Sequence, residues 1–279
     1  MDGAALAARV RAELKTGVAA LGGVGLATVL VGEDAASQIY IRLKHKAADE
    51  VGIAAADRRL SEGTSEEDLV ALIGDLNTDD SVDGILVQTP LPPHIDEARV
   101  MRAIEPTKDV DGLHPFNAGQ LFFGRPTLVP ATPLGIMRML DEYRIPLAGR
   151  RAVVVGRSLI VGRPVALLLL HANATVTICH SRTEDLARET LAADILVAGV
   201  GQPALITADM VKLGAAVVDV GINRTEAGIV GDVDPSVADV AAFLTPVPGG
   251  VGPMTIASVL ANAVRAASYQ KGALAFPRA

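Results

Sequence analysis

The sequence predicts an α/β protein built on parallel sheets that helices cover. Short apolar runs rich in β-branched residues alternate with segments of helical hydrophobic period along all 279 residues, as expected of strand–helix–strand crossovers. Clusters of Gly, Pro and Asp follow most of these runs and indicate turns. Half of the residues are hydrophobic but only 3% are aromatic, so we expect an aliphatic core in one large or two ordinary domains.

Each predicted element rests on a local pattern. Leu6, Val10 and Leu14 recur at helical spacing in the first helix, Ser65 is followed by an acidic residue as a helix cap, and Pro253 suits a first helical turn. The predicted strands cover residues 26–31, 53–58, 84–87, 152–155, 175–179, 194–198 and 216–220. The predicted helices cover residues 4–20, 35–51, 65–76, 96–104, 132–143, 162–170, 184–191 and 253–268, with another starting near residue 207 and a small hairpin within 223–232.

Charge and composition narrow the classes of function. A net charge of −7 and a pI near 5.3 argue against non-specific binding of nucleic acid or acidic membranes, because the overall field repels polyanions. The single cysteine, Cys179, cannot form an intrachain disulfide, which fits a reducing compartment. The apolar runs are too short to span a bilayer, and the N-terminus shows no cleavable signal. We therefore expect a cytoplasmic protein with no nucleic-acid or membrane partner.

A glycine-containing turn between a strand and a helix is the first candidate binding site. The strand at 152–155 breaks at Gly156, and Gly162 opens the next helix, which is the order of a phosphate-binding βα unit. The spacing is not G-x-G-x-x-G, so an ordinary βα turn without a ligand remains equally compatible. After the next strand, Ser181 and Arg182 stand where NAD-binding units place a carboxylate; with Arg157 they favour a ribose 2′-phosphate and hence NADP. The alternative is that both arginines are solvated loop residues.

Polar residues in the first half form a second candidate set. Tyr40 and Lys44 lie four residues apart on a predicted helix, although Lys44 also fits a charged solvent face. Gln88 directly follows a buried strand, at the edge where α/β sheets bind ligands, or it merely caps that strand. Asp109 and Asp111 resemble half of a divalent-metal site, but no third ligand lies near them in sequence and the five histidines are scattered, so we predict no metal.

Several motifs occur in one order along essentially the whole chain. They are YxxxK at 40–44 with KAADEVGI at 46–53, GILVQTPLP at 84–92, KDVDG at 108–112, VGRSxIVGxP at 155–164 and PGGVGPMT at 248–255. The chain thereby resembles the family of bifunctional methylenetetrahydrofolate dehydrogenases/methenyltetrahydrofolate cyclohydrolases. The resemblance implies oxidation of 5,10-methylenetetrahydrofolate with NADP, then hydrolysis to 10-formyltetrahydrofolate. It also implies a homodimer formed through the cofactor domain.

The resemblance further implies a division of labour within the chain. It predicts a catalytic folate-binding α/β domain at 1–135, completed by a returning C-terminal helix at 255–279, and a Rossmann-like NADP-binding domain at 136–254, with the folate site in the cleft between. Lys44 corresponds to the active-site lysine, Gln88 to its hydrogen-bonding glutamine, Tyr40 to a stacking residue and Asp111 to the pterin-binding aspartate. Further substrate contacts fall on Ser37, Pro248 and Gly249, and cofactor contacts on Gly156, Arg157, Ser158, Gly162, Ser181, Arg182, Gly221 and Ile222.

Two other functions remain open at this point. Another two-domain dehydrogenase of amino-acid or shikimate type could share the layout, but it would not need Tyr40, Lys44, Gln88 and Asp111 as a set. A folate- or nucleotide-binding protein without catalysis is a different class, and the presence of both Lys44 and Gln88 argues against it.

Overall fold

The computed structural model describes residues 1–226 and 228–277, except for the side chains of residues 35–37. In chain order the elements are α1 (Gly3–Ala20), β1 (Val24–Val31), α2 (Ala35–Val51), β2 (Ile53–Leu60), α3 (Glu66–Thr78), β3 (Gly84–Val87), α4 (Glu97–Ala103), α5 (Pro115–Phe122), α6 (Ala131–Glu142), β4 (Arg151–Val155), α7 (Gly162–His171), β5 (Thr175–Cys179), α8 (Leu186–Leu191), β6 (Ile195–Ala198), β7 (Ala216–Asp219), β8 (Asn223–Thr225), β9 (Gly228–Val230), β10 (Phe243–Leu244) and α9 (Val251–Gln270). Two short 3₁₀ helices lie at Ala208–Met210 and Pro235–Asp239.

These elements form two compact units. The three-strand unit comprises Ala8–Ala131 and the segment that starts at Ile256. The five-strand unit comprises Met1–Ala7 and Thr132–Thr255. The functional domains that the sequence predicts, with boundaries at residues 135 and 254, stay a prediction.

The three-strand unit is built on a parallel sheet of order β2-β1-β3. On one face, Leu26 of β1 and Leu86 of β3 pack with Ala47 and Ala48 of α2 and with Leu260 of α9. Burial of this aliphatic layer is the main force that holds α2 and α9 on the sheet. The C-terminal helix therefore returns to the first part of the chain, as predicted.

The five-strand unit is built on a second parallel sheet, of order β10-β7-β6-β4-β5. The chain passes from β4 to β5 on one side and then crosses back to β6 on the other. The strand order thus reverses between β4 and β6, which is the switch point where open α/β sheets bind ligands, at the carboxyl ends of the strands. The α/β fold with parallel sheets, predicted from sequence, is confirmed.

Three local features differ from the predictions. The helix expected near residue 207 is only a 3₁₀ turn at Ala208–Met210, because a turn at Gly214 follows directly and leaves no room for a full helix. Helix α5 and the two-residue strand β10 were not predicted. The hairpin within 223–232 is present as β8 and β9. Among the described helices, none is both long and apolar enough to cross a membrane.

Candidate active site

Lys44 and Gln88 meet at the carboxyl end of the three-strand sheet. Lys44 projects from the middle of α2, and its side chain is only 8% exposed. Its Nζ donates a hydrogen bond to Oε1 of Gln88 at 3.0 Å. Gln88 follows β3 directly, and its own Nε2 donates to the carbonyl oxygen of Thr89 at 2.8 Å, which fixes the amide with its oxygen toward the lysine. A solvent-facing role for Lys44 is therefore ruled out.

Asp111 reaches the same edge through an added length of extended chain. The backbone N–H of Ile85 donates to Lys108 O at 2.7 Å, and Asp109 pairs with Ile85 as an isolated parallel bridge. This segment runs beside β3 and carries Asp111 to the end of the sheet, close enough for its charge to act on Lys44. The side chain of Asp111 is partly exposed.

Burial and mutual attraction have opposite effects on the pKa values of Lys44 and Asp111. Removal from water lowers the pKa of the Lys44 ammonium below its ordinary value, while the negative charge of Asp111 works in the other direction. Desolvation raises the pKa of Asp111 to about 6, although the Lys44 charge opposes the rise. The lysine is therefore shifted toward the neutral amine that a general base requires.

The other two charged residues of the KDVDG motif hold the loop in place. Lys108 Nζ donates to the carbonyl oxygens of Leu76 and Asp79 at 3.2 and 2.9 Å. Oδ2 of the buried Asp109 accepts hydrogen bonds from His114 N and Asn117 Nδ2. Among the described residues, no group of three or more His, Cys, Asp or Glu is placed to hold a metal ion.

One residue that sequence reasoning missed supports this loop from α9. The amide nitrogen of Asn262 donates to the carbonyl oxygens of Val110 and Val129, both at 2.7 Å, and its side chain is 2% exposed. An asparagine on the buried face of a helix needs such partners, so its position within the apolar pattern of α9 was a usable signal.

The remaining predicted substrate residues fall in three places. Tyr40 is partly exposed on α2, one turn before Lys44 and hence on the same helix face. Ser37 is on α2 as well, but its side chain lies outside the part of the chain that the structure describes. Pro248, which follows a cis peptide bond, and Gly249 belong to the five-strand unit, and their part in substrate binding stays a prediction.

The predicted cofactor residues line the carboxyl edge of the five-strand sheet. Gly156 ends β4 with a φ of 123°, and a Cβ atom there would lie 2.5 Å from the carbonyl oxygen of Gly199. A Cβ atom on Gly162 would lie 2.3 Å from Gly156 O. Only glycine permits these close approaches. The turn from β4 into α7 is therefore kept open and close to the loop that follows β6.

Ser158 has a structural task that limits its freedom. Its Oγ accepts hydrogen bonds from the backbone N–H groups of Val161 and Gly162 at 3.1 and 3.3 Å. These are amides at the start of α7 that would otherwise face an anion directly. The Ser158 hydroxyl therefore lies at this end of α7, and Arg157, the residue before it, is exposed.

Ser181 and Arg182 are both exposed in the turn after β5, the strand next to β4. His180 shapes this turn. Its ring Nδ1 accepts a hydrogen bond from the backbone N–H of Arg182 at 3.2 Å, and its backbone N–H donates to Thr183 Oγ1 at 2.9 Å. The edge thus offers two hydroxyls, two guanidiniums and close-packed glycines, and no carboxylate directly after β5. This set suits a nucleotide with an extra phosphate on its ribose.

The loop Gly199–Gly201, after β6, was missed as a candidate although it borders Gly156. Asp232 fixes it: Oδ2 accepts from Val200 N and Gly201 N at 2.6 and 2.9 Å. A Cβ atom on Gly221 would lie 2.3 Å from Oδ1 of Asp232, which explains the glycine after β7, and Ile222 beside it is 47% exposed. The signal was available, because β6 is the strand that a Rossmann order places next to β4.

Comparison with known proteins identifies the family of this chain. The family model of the tetrahydrofolate dehydrogenase/cyclohydrolase catalytic domain matches residues 1–111, and that of the NAD(P)-binding domain of the same family matches residues 130–271. The bifunctional protein FolD of Moorella thermoacetica is 56% identical over 273 residues, which cover 96% of this chain and 98% of that protein.

Solved structures agree with this result. The crystal structure of the FolD methylenetetrahydrofolate dehydrogenase/cyclohydrolase from Campylobacter jejuni is 49% identical with a TM-score of 0.94, and the match covers 96% of this chain and 97% of that one. The Trypanosoma brucei enzyme, solved with NADP and an inhibitor, is 40% identical with a TM-score of 0.91 over 96% of each chain. The chain belongs to the tetrahydrofolate dehydrogenase/cyclohydrolase family.

Proposed function

We propose that this chain oxidises 5,10-methylenetetrahydrofolate to 5,10-methenyltetrahydrofolate with NADP and then hydrolyses that product to 10-formyltetrahydrofolate. The observation that carries the proposal is the buried amine of Lys44, hydrogen-bonded to Gln88 beside Asp111. A dehydrogenase of amino-acid or shikimate type has no need of this arrangement. A protein that only binds folate would gain nothing from a buried lysine with a lowered pKa.

The first step needs positioning rather than proton transfer. In this step a bound NADP would supply the hydride acceptor for the methylene carbon of the substrate. The two nitrogens that flank this carbon delocalise the positive charge that develops, so the residues of the chain have to orient the substrate and exclude water. Asp111 can accept two N–H donors from the pterin edge, and Tyr40 can stack on the ring system from the same helix face as Lys44.

The second step is a hydrolysis in which Lys44 moves a proton. As the oxygen of water bonds to the methenyl carbon, the neutral amine of Lys44 takes a proton from that water. The same proton then passes to the ring nitrogen whose bond to carbon breaks, while the proton of the new hydroxyl group leaves to solvent. The reaction thus releases one proton overall. Gln88 holds the amine by accepting its N–H at 3.0 Å.

The lowered pKa of Lys44 favours this role, because it raises the fraction of neutral amine at any given pH. An ordinary lysine has a pKa of about 10.4 and is almost fully protonated at pH 7. Burial disfavours the ammonium form, and a cationic substrate beside it disfavours that form further. The same substrate charge offsets the desolvation of Asp111, so binding favours the carboxylate that the pterin requires.

NADP, rather than NAD, is the cofactor that the five-strand edge favours. Arg157, Ser181 and Arg182 supply donors for a 2′-phosphate, and guanidiniums stay charged at all physiological pH values. Gly221 and Ile222 extend this edge on the far side of the Gly199–Gly201 loop. The close-packed glycines keep this edge free of side chains, which would let the pyrophosphate of a bound nucleotide approach the backbone.

A homodimer formed through the five-strand unit is a further part of the proposal. Within the described part of the chain, strand β5 is an edge strand with β4 as its single neighbour, and Ile178 on it is 42% exposed. Leu170 of α7 and Leu191 of α8 are also exposed, at 54% and 45%, on helices that contact β5. An exposed apolar edge of this kind is stabilised by pairing with a second copy.

We further propose that the chain acts in the cytoplasm. Its single cysteine, Cys179, suits a reducing compartment, and its substrates are small molecules.

Two separate absorbance assays test the proposed function. The purified chain is incubated with 5,10-methylenetetrahydrofolate and either NADP or NAD, and formation of the reduced nucleotide is followed. A second assay follows the disappearance of 5,10-methenyltetrahydrofolate against its spontaneous hydrolysis. We expect both activities, with NADP preferred. Binding of folate without turnover in either assay would reject the enzymatic proposal.

A further inference from the structure

A buried threonine stands out on the face of the three-strand sheet that α2 covers. Thr28 of β1 is 1% exposed, two residues from Leu26, which packs in the aliphatic layer on that face. A hydroxyl in such a layer carries a desolvation cost unless it is hydrogen-bonded. Its closest partners are Asp57, directly opposite on β2, and His45 of α2; the carbonyl oxygen of Ala56 is a more distant acceptor at 3.5 Å.

The three polar atoms form a closed triangle. Thr28 Oγ1 lies 2.7 Å from Asp57 Oδ1 and 2.9 Å from His45 Nε2, and His45 Nε2 lies 3.0 Å from Asp57 Oδ1. The hydroxyl has one hydrogen, which it donates to the carboxylate, so it accepts from His45, whose Nε2 must carry a hydrogen. Arg59 occupies the other carboxylate oxygen of Asp57 at 3.1 Å.

The charge state of Asp57 agrees with this assignment. Burial works to raise the pKa of its carboxyl, but hydrogen bonds from Thr28 and Arg59, together with the charge interactions with His45 and Arg59, outweigh burial and leave the pKa below the ordinary value. Asp57 is therefore an anion at neutral pH, and an anion accepts the hydrogen bonds of Thr28 and Arg59 more strongly than a neutral acid does.

His45 is the residue directly after Lys44, and this adjacency gives the triangle its consequence. Neighbouring residues project about 100° apart on a helix, so the two side chains leave α2 in different directions. Lys44 is bonded to Gln88 beyond β3, and His45 is bonded to β1 and β2. Apart from these links, α2 packs through buried apolar side chains, which are Ile41, Ala47, Ala48 and Val51. Apolar contacts are non-directional, so they fix the rotation of a helix less sharply than hydrogen bonds do.

We propose that His45, held by Thr28 and Asp57, is a positioning residue that fixes the rotation of α2 and thereby the aim of the Lys44 amine at the substrate. This inference rests on the proposed function, because it concerns the lysine that moves the proton. His45 touches neither the substrate nor the reacting atoms in this account. It acts only through the orientation of its neighbour.

The test compares the two activities within each variant. His45→Ala should lower the ratio of cyclohydrolase kcat to dehydrogenase kcat by about tenfold or more, with KM for 5,10-methenyltetrahydrofolate little changed, because an ångström of misplacement costs rate rather than binding. His45→Gln should restore the ratio, since its amide N–H can reach the same oxygens. Arg42→Ala, which removes an exposed charge from the same helix, is the matched control and should keep the ratio.

Thr28→Val supplies a second, independent measurement. It should lower the ratio less than His45→Ala, because Asp57 remains within reach of His45, and it should add nothing in the His45→Ala background. An unchanged ratio in His45→Ala overturns the inference, and this includes the case in which both activities fall by one common factor. If His45→Ala does not fold, an unchanged ratio in Thr28→Val overturns it instead. An unsubstituted chain without cyclohydrolase activity would reject the proposed function as well, whereas an active one confines the failure to His45.

Discussion

Replacing Lys44 with methionine removes an amine from a buried side chain while keeping a chain of similar length. Lys44 is 8% exposed, so the apolar stem of methionine fits the space, and the energetic cost of a buried ammonium disappears. Gln88 Oε1 loses its donor, which costs about 1–3 kcal/mol if no water replaces it. The two effects oppose each other, and we expect a folded protein of stability close to that of the unsubstituted chain.

The catalytic effect should be large and confined to one activity. A positioned general base contributes about 10²–10⁴ to a rate, which corresponds to roughly 2.7–5.4 kcal/mol of activation free energy. Lys44→Met should therefore lower the cyclohydrolase kcat by at least about a hundredfold. The dehydrogenase needs no proton transfer from this residue, so part of that activity should survive.

The assay follows both reactions on the same preparation. Formation of reduced nucleotide from 5,10-methylenetetrahydrofolate reports the dehydrogenase, and loss of 5,10-methenyltetrahydrofolate above the spontaneous rate reports the cyclohydrolase. Retained dehydrogenase activity in Lys44→Met shows that the protein is folded and binds its substrate. Hydrolysis at the unsubstituted rate in that protein would refute the assignment of Lys44 as the proton-transfer group.

The remaining predictions concern the cofactor, the pterin anchor and the dimer. Replacing Arg157 and Arg182 together with Ala should raise KM for NADP far more than KM for NAD; equal effects in steady-state kinetics would place the 2′-phosphate elsewhere. Because the pKa of Asp111 is raised to about 6, its carboxyl takes up a proton as the pH falls through that value, and dehydrogenase kcat/KM should fall with it. Asp111→Asn should lower kcat/KM at pH 7 and flatten this dependence; a pH profile identical to that of the unsubstituted chain would contradict the anchor role. Ile178→Asp should shift the chain to monomers in sedimentation experiments, and a dimer that persists would mean that another surface is used.

Local patterns were sufficient to predict those elements whose buried apolar residues form a clear pattern in the sequence. The strand at 84–87 and the helix at 35–51 were predicted with the bounds that the structure shows, because apolar runs and glycine boundaries mark them. The same patterns placed Lys44 on a helix and Gln88 at a strand end. Their contact at 3.0 Å could only be inferred from the resemblance, since α2 and β3 are separated by another strand and helix in sequence.

Features that depend on distant partners could not be predicted. Asp232 accepts hydrogen bonds from backbone N–H groups 31 and 32 residues away in sequence. Asn262 donates to carbonyl oxygens that are more than a hundred residues away. The triangle of Thr28, His45 and Asp57 likewise needs the register of β1 with β2, which no local pattern specifies. The period of apolar residues indicates which positions are buried. These hydrogen bonds depend instead on which elements lie next to each other in the fold.

The state of Lys44 can be measured directly by NMR. The chain has six lysines, so labelling them with ¹³C at Cε gives a spectrum in which Lys44 is assigned by its loss in Lys44→Met. Burial lowers the pKa of both Lys44 and Lys108, and Lys108 serves as a reference for a buried lysine outside the site. We expect Lys44 to titrate below about 10.4, and lower still when a cationic folate analogue is bound. A Lys44 that titrates at the ordinary lysine value, with and without the analogue, would contradict the central claim.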